Sequence, residues 1–362
     1  MKILYRYFLK EISFTVFVCF SVLTFVVLTA KIFTFTDTAI RYGASISQII
    51  KIFLLLIPEV ILFSFPAALL ISVLIVFLKS SSDNEIIALK SSGISFYQLL
   101  PPVILISAFS SSLAFAISMF AVPWGNREIK KIFIRLLKEK TEIGIKERMF
   151  CEPFKGIVFY VNSFFPKEKI MKKVFVVDRR SEEFSTIIAE EARIIRWKKA
   201  VILHFSKGTL FSTDKSFEKV RIIQFESYDL SLNLKRDKDV ILKMKPKEMD
   251  LSELLKGIKE ENDPIKRNLM IIELMERISL PFGVFLMGLI GAPLGMQIKT
   301  KSKPVGITVG LAVFFIYYTL LAGAKSISET GFISPYVGIW IPDILLVILN
   351  IIALKKTEKR WF

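Results

Sequence analysis

The sequence predicts an α-helical polytopic membrane protein of six transmembrane helices, with an all-β, jelly-roll-like domain inserted between the third and the fourth. Three observations lead there. Hydrophobic residues make up 53% of the chain, 33 of them Phe, which is more apolar surface than an ordinary soluble domain carries. Six runs approach the ~20 apolar residues that a hydrocarbon core requires. Between the third and fourth runs the pattern changes to short segments rich in Val, Ile, Phe and Tyr, separated by charged or Gly-containing turns. The expected organisation is therefore residues 1–122 with three spans, 123–264 with the inserted domain and its flanking helices, and 265–362 with three further spans and a tail.

The first run extends from about Ile12 to Ala30; it lacks a small-residue cleavage site and exceeds a usual signal-peptide core, so it is expected to stay as a span. The second and third extend over Ile52–Leu78 and Leu99–Val122. Between them "SSDNEIIALKSSGIS" reads as a short helix over 82–93: Ser82 and Glu85 match an S/T-x-x-E capping box, and Gly93 is placed to end it in a left-handed turn. The inserted region opens with "REIKKIFIRLLKEK", where Ile129, Ile132, Phe133, Leu136 and Leu137 share a helical face. Five strands are then expected in "GIVFYVNSF", "KKVFVVD", "STIIAEEARII", "KAVILHFSKGTLF" and "VRIIQFESYDLSL". A helix capped by Asp250 and answered by Glu253 follows, and Asp263–Pro264 reads as the start of the helix leading into the fourth run, Ile278–Ile298. Val305–Ala324 and Ile333–Leu354 complete the set.

Basic residues orient the spans. Lys2, Arg6 and Lys10, then Lys79 and Lys90, then Lys299, Lys301 and Lys303, then Lys355, Lys356, Lys359 and Arg360 all fall on one side. That side is expected to be the cytoplasm, with both termini in it and the large domain outside it. The net charge of +17 is accounted for by this topology, and no nucleic-acid recognition motif accompanies it.

Enzyme chemistry is not expected. His204 is the only histidine and lies in a strand-like run, as a packed or edge residue. Cys19 and Cys151 fall in different solvents, which disfavours a disulfide. Neighbouring acids Glu190 and Glu191 point to opposite faces of a strand, so they make no acid–base pair, and no metal-ligand cluster is apparent. No GxxxxGK(S/T) loop occurs, so any ATP-driven step needs a nucleotide-binding partner.

Three sets of residues remain as candidates. Glu59 and Asp343 are acids within apolar spans, each directly after a proline; they are either functional or satisfied structurally by backbone freed at the proline. Lys31, Arg41 and Lys325 lie on the face opposite the basic side, where they either meet anionic lipid groups or snorkel to the interface. The 82–93 helix, with Ile86, Ile87 and Leu89 on it, either plugs a groove in a soluble ATPase or turns the chain at the membrane interface.

In order along the chain, "RYFLKE", "DNEIIALKSSGIS", "VPWGNRE", "AEEARI", "FSKGTLF" and "ELMERISLPFGVFLMGLIGAPLG" resemble motifs of the lipopolysaccharide export permeases of the LptF/LptG type. The resemblance covers essentially the whole chain and leans toward the LptF type through "RYFLKE" and "VPW". It implies an inner-membrane subunit of an ATP-binding-cassette exporter, paired with a second permease of the family on a dimeric cytoplasmic ATPase that uses ATP and Mg, and passing lipopolysaccharide to a periplasmic bridge protein. This chain itself would bind no cofactor.

The resemblance also implies site residues. Glu85, Ile86, Leu89 and Gly93 would belong to the ATPase-coupling helix, Lys31 and Lys325 would contact lipid phosphates, and Arg41 rests on its charge alone. Phe314, Tyr317 and Tyr318 are candidates for acyl-chain contact at a lateral gate. The rival expectations are an ATPase-coupled permease of another class, such as one releasing lipoproteins or transmitting force, and a membrane-anchored scaffold.

Overall fold

The computed structural model describes residues 2–41, 44–139, 147–154, 157–165, 168, 170–178, 184–197, 200–213, 220–232, 244–298 and 303–361. The chain divides into two compact units, one formed by Met1–Ile132 with Met244–Phe362 and the other by Phe133–Lys243.

Helices build the first unit: α1 (Lys2–Arg41), α2 (Ile46–Ser82), α3 (Glu85–Ser91), α4 (Leu100–Ala116), α5 (Val122–Glu139), α6 (Leu251–Glu260), α7 (Pro264–Gln297), α8 (Lys303–Glu329), α9 (Pro335–Gly338) and α10 (Ile341–Trp361). Among them are six stretches long and apolar enough to cross a membrane: Lys2–Phe33, Ile46–Ser82, Phe96–Leu136, Pro264–Gln297, Pro304–Glu329 and Pro335–Lys359. Each of the six expected runs overlaps one of these, but most of the helices extend several residues further, by up to 14 before Ile278 and after Val122. With 40 residues, α1 is about 60 Å long, well beyond a hydrocarbon core.

Helices α2 and α7 form the inside of the bundle. The stretch Ser64–Leu74 of α2 is buried throughout. "MGLIGAPLG" explains the close approach of α7: a Cβ on Gly295 would stand 2.6 Å from the Leu74 carbonyl oxygen, so the helix backbones meet where the side chain is missing. Helix α1 is peripheral and leaves Phe14, Phe17, Phe25 and Phe33 about 70% exposed, as a lipid-facing helix does.

The third span does not stop at Pro123, where the inserted region was expected to begin. A π turn over Ile117–Ala121 joins α4 to α5, and the helix continues to Glu139. Proline lacks an N–H to donate, and here it follows a turn in which the regular ladder is already interrupted, so it does not break the helix. Ile129, Ile132 and Leu136 of the expected apolar face are buried, and Phe133 is half-buried; the Leu137 side chain lies outside the described residues. Both later caps form. Asp250 N–H donates to Glu253 Oε2 at 2.8 Å ahead of α6, and Asp263 accepts from Ile265 N–H at 3.1 Å with Pro264 first in α7.

The second unit holds one antiparallel sheet of six strands: β1 (Phe150–Phe154), β2 (Ile157–Phe165), β3 (Ile170–Asp178), β4 (Phe184–Trp197), β5 (Ala200–Thr213) and β6 (Val220–Leu232). Five of these were expected; β1 was not, because "FCEPF" is short and holds a proline that only an edge strand tolerates. Alternating residues such as Ile157, Phe159 and Val161, and across from them Met171, Val174 and Val176, make a dry core on one face. Neighbouring strands follow chain order, so the described strands form a meander and contain no Greek-key crossing of the kind that a jelly roll has. His204 stands on the interior strand β5, its Nδ1 2.5 Å from Asp229 Oδ1 on β6. Cys19 is a free thiol; the Cys151 side chain lies outside the described residues.

Candidate functional site

Two regions of the helical unit carry the candidate residues, one at each end of the bundle. At the end where α1 begins and α2 finishes, α3 is a seven-residue helix whose boundaries differ from expectation. Helix α2 runs on through Ser82, so this serine caps nothing; Asp83 and Asn84 make the turn, Asn84 in the left-handed region at φ 61°. The other end forms as anticipated. Gly93 sits at φ +78°, its N–H donates to the Lys90 carbonyl, and Ile94 N–H donates to the Leu89 carbonyl.

Ile86 and Leu89 were expected to be available to a partner or to the membrane interface. Instead Ile86 is buried in the chain's own core and Leu89 packs against that core. A helix this short has one face to bury, and residues three apart share it. Ile87 is the outward residue, 61% exposed, and Glu85 is half-buried.

Glu85 is tied to α1 by the Tyr7 hydroxyl, which donates to Oε1 at 3.2 Å. One residue on, Phe8 stacks on Phe77 with centroids 5.3 Å apart, and Glu11 pairs with Lys79 at 2.7 Å. "RYFLKE" is thus the segment that fastens the start of α1 to the end of α2 and to α3. The tail closes on the same end, where the Tyr97 hydroxyl donates to Glu358 at 2.8 Å.

At the opposite end the two candidate lysines are each neutralised by an acid from a neighbouring helix of opposite direction. Lys31 on α1 lies 2.8 Å from Glu59 on α2, and Lys325 on α8 lies 2.6 Å from Glu276 on α7. Arg41 is the last residue of α1, and its side chain lies outside the described residues. Further charges cluster here. Arg127 of "VPWGNRE" reaches Glu253 at 2.6 Å, Asp250 at 3.1 Å and, through Nε–H, the Glu248 carbonyl at 3.1 Å. Lys130 pairs with Glu248 at 2.6 Å. Arg277, fully buried, pairs with Glu273 at 3.1 Å and donates to the Pro246 carbonyl at 3.2 Å. The Glu-x-x-x-Arg pattern in "ELMERISLP" signals this last pair by its spacing of four; the partners of Glu276 and Arg127 carry no local signal, since they arrive from distant segments.

Phe314 and Tyr317, two of the candidates for acyl-chain contact, are buried within the bundle, at 4% and 3% exposure. Phe314 packs edge-on against Phe63 and, with centroids 4.6 Å apart, against Tyr318; Phe63 meets Tyr318 at 4.8 Å. Helical spacing places positions 314, 317, 318 and 321 on the inner face of α8 and leaves Phe315 and Ile316, 61% and 59% exposed, on the outer one. Asp343 is also internal. It accepts from the Tyr317 hydroxyl at 2.9 Å and from the Ser279 hydroxyl, joining α10 to α8 and α7 from the first turn of its helix, where the backbone dipole favours an acid. No group of His, Cys, Asp and Glu able to hold a metal occurs among the described residues.

The sequence profile of the lipopolysaccharide export system permease LptF/LptG family matches residues 6–356, from the α1 clamp to the end of the last span. The chain belongs to the LptF/LptG family. Similar proteins include the lipopolysaccharide export system permease protein LptF of Escherichia coli K12, of Escherichia coli O157:H7 and of Shigella flexneri. Each is 18% identical over 355 residues, covering 97% of this chain and 94% of the relative. As an LptF/LptG family member the chain is a multi-pass membrane permease of the lipopolysaccharide export system.

Proposed function

We propose that this chain is the LptF-type permease subunit of an ATP-binding-cassette exporter that lifts lipopolysaccharide out of the bacterial inner membrane. A second permease of the family, a dimeric cytoplasmic ATPase using ATP and Mg, and a periplasmic bridge protein complete the machine, and both termini of this chain lie in the cytoplasm. The chain performs no covalent chemistry.

One observation carries the reading: α3 is bonded through Glu85 and Tyr7 to the start of α1, and the same α1 bears Lys31 near the far end of its apolar span. A helix is stiff along its axis, so closure of an ATPase under α3 moves α1 as a rod and with it the lysine that meets lipid phosphate. Acyl chains then run along the outer faces of α1 and α8, where Phe17, Phe25, Phe315 and Ile316 stand exposed. Among the described residues β6 is an edge strand of the sheet, which suits strand addition by the bridge protein.

The test is reconstitution of the permease pair and ATPase in vesicles with the bridge protein added. ATP-dependent transfer of lipopolysaccharide to the bridge is the expected result. Lipoprotein release without such transfer would establish a permease of another class, and failure of any ATPase to copurify in stoichiometric yield would leave a scaffold.

A further inference from the structure

We infer that Glu59 and Glu276 are internal counter-anions, which hold Lys31 and Lys325 while no lipid is bound and release them to lipid phosphates when it is. On this view each carboxylate sets how readily the lipid leaves again. The inference rests on the proposal that these lysines meet phosphates of the transported lipid.

The two pairs arise independently and share one construction. In each, a lysine close to the end of one apolar span meets a glutamate of an adjacent helix running the other way. Both lie on the same side of the aromatic cluster of Phe63, Phe314 and Tyr318. Glu59 is one helical turn beyond Phe63, and Lys325 two turns beyond Tyr318.

Accessibility separates these pairs from a purely structural bridge. Side-chain exposures are 30% and 31% for Lys31 and Glu59, and 28% and 20% for Lys325 and Glu276. An incoming anion can reach either ammonium. The Arg277–Glu273 pair, at 3% and 10%, is sealed against any such exchange.

Charge decides the direction of exchange. A lone, largely buried ammonium is costly, and the carboxylate removes that cost in the empty state. A phosphate monoester brings nearly twice the charge and three acceptor oxygens, so it displaces a single carboxylate. The displaced glutamate is then left half-desolvated without its partner, which raises the free energy of the loaded state and draws the lysine back on release.

The experiment uses the full complex of both permeases and ATPase in nanodiscs, loaded with lipopolysaccharide carrying either bisphosphorylated or enzymatically dephosphorylated lipid A. Glu59→Gln and Glu276→Gln each keep the side chain's size and remove its charge. Each should retain on the order of threefold to tenfold more phosphorylated lipid and release it more slowly on ATP addition by a similar factor, with no change for dephosphorylated lipid. Glu59→Asp, which keeps the charge and shortens the reach, should shift retention in the same direction by less, and decides the matter if the Gln variant fails to fold. Unchanged or reduced retention of phosphorylated lipid, or an equal change for both lipids, overturns the exchange. Wild-type complex that retains no lipopolysaccharide overturns the proposed function and this inference together; normal wild-type retention with silent Glu variants overturns the inference alone.

Discussion

Lys31 Nζ stands 2.8 Å from Glu59 Oε1, so the basic residue near the end of the first span and the acid within the second form a single ion pair. This changes how the lysine is tested. Lys31→Glu would set two carboxylates against each other at a position that is only 30% exposed, and loss of function would then report repulsion as well as a lost phosphate contact. Lys31→Gln is the cleaner variant. It should lower photo-crosslinking of phosphorylated lipopolysaccharide by about fivefold with assembly intact, the loss appropriate to one partly exposed charged contact. Unchanged crosslinking returns Lys31 to ordinary snorkelling.

At the other end of α1, Tyr7→Phe removes one hydroxyl donor from Glu85 and nothing else. Stability should fall by no more than about 1 kcal/mol, because the bond is exposed. If Tyr7 transmits motion from α3 to α1, ATP hydrolysis by the assembled complex will persist while lipid release per ATP declines. Equal coupling in the variant and the wild type argues that the hydrogen bond is incidental.

Gly93→Pro strikes α3 directly. Proline cannot adopt φ +78° and has no N–H for the Lys90 carbonyl, so the end of the helix must rearrange. Recovery of the ATPase in pull-downs should drop for Gly93→Pro and for Glu85→Ala, while the β unit keeps its hydrogen-exchange protection. Full recovery with both variants removes the coupling assignment from α3.

Asp343 separates a structural acid from a working one. Asp343→Ala strands the Tyr317 hydroxyl inside the bundle, leaves Ser279 only the Ile339 carbonyl at 3.5 Å, and should destabilise by about 1–3 kcal/mol, read as a lower melting temperature in detergent. Asp343→Asn retains an acceptor and removes the charge. Transport at the wild-type rate in Asp343→Asn means that no step uses the charge; abolished transport at normal stability means that one does.

Gly295 limits how near α2 and α7 come. In Gly295→Val the first side-chain atom would lie 2.6 Å from the Leu74 carbonyl oxygen and 2.9 Å from Phe77 Cβ, so the helices must separate. The expected cost is about 1–3 kcal/mol. A melting temperature unchanged from wild type would show that the interface can slide without penalty.

Residue order alone specified the six spans, the strand-rich insertion, the caps at Asp250 and Asp263, and the left-handed stop at Gly93. Each follows from a local property: apolar length against a bilayer, alternation against a sheet face, or a side chain reaching its own backbone. The spacing of Glu273 and Arg277 was likewise legible. What the tertiary structure decided is which faces and which charges meet. Ile86 and Phe314 have the same composition-level signal whether they face a partner or the chain's own core, and packing turned both inward. Ser82 lost its cap because α2 continued through it, and Pro123 failed to break a helix because a π turn preceded it. The pairs Lys31 with Glu59, Lys325 with Glu276 and Arg127 with Glu253 join distant helices, and Coulomb attraction over a few ångströms leaves no trace in the spacing of residues along a chain.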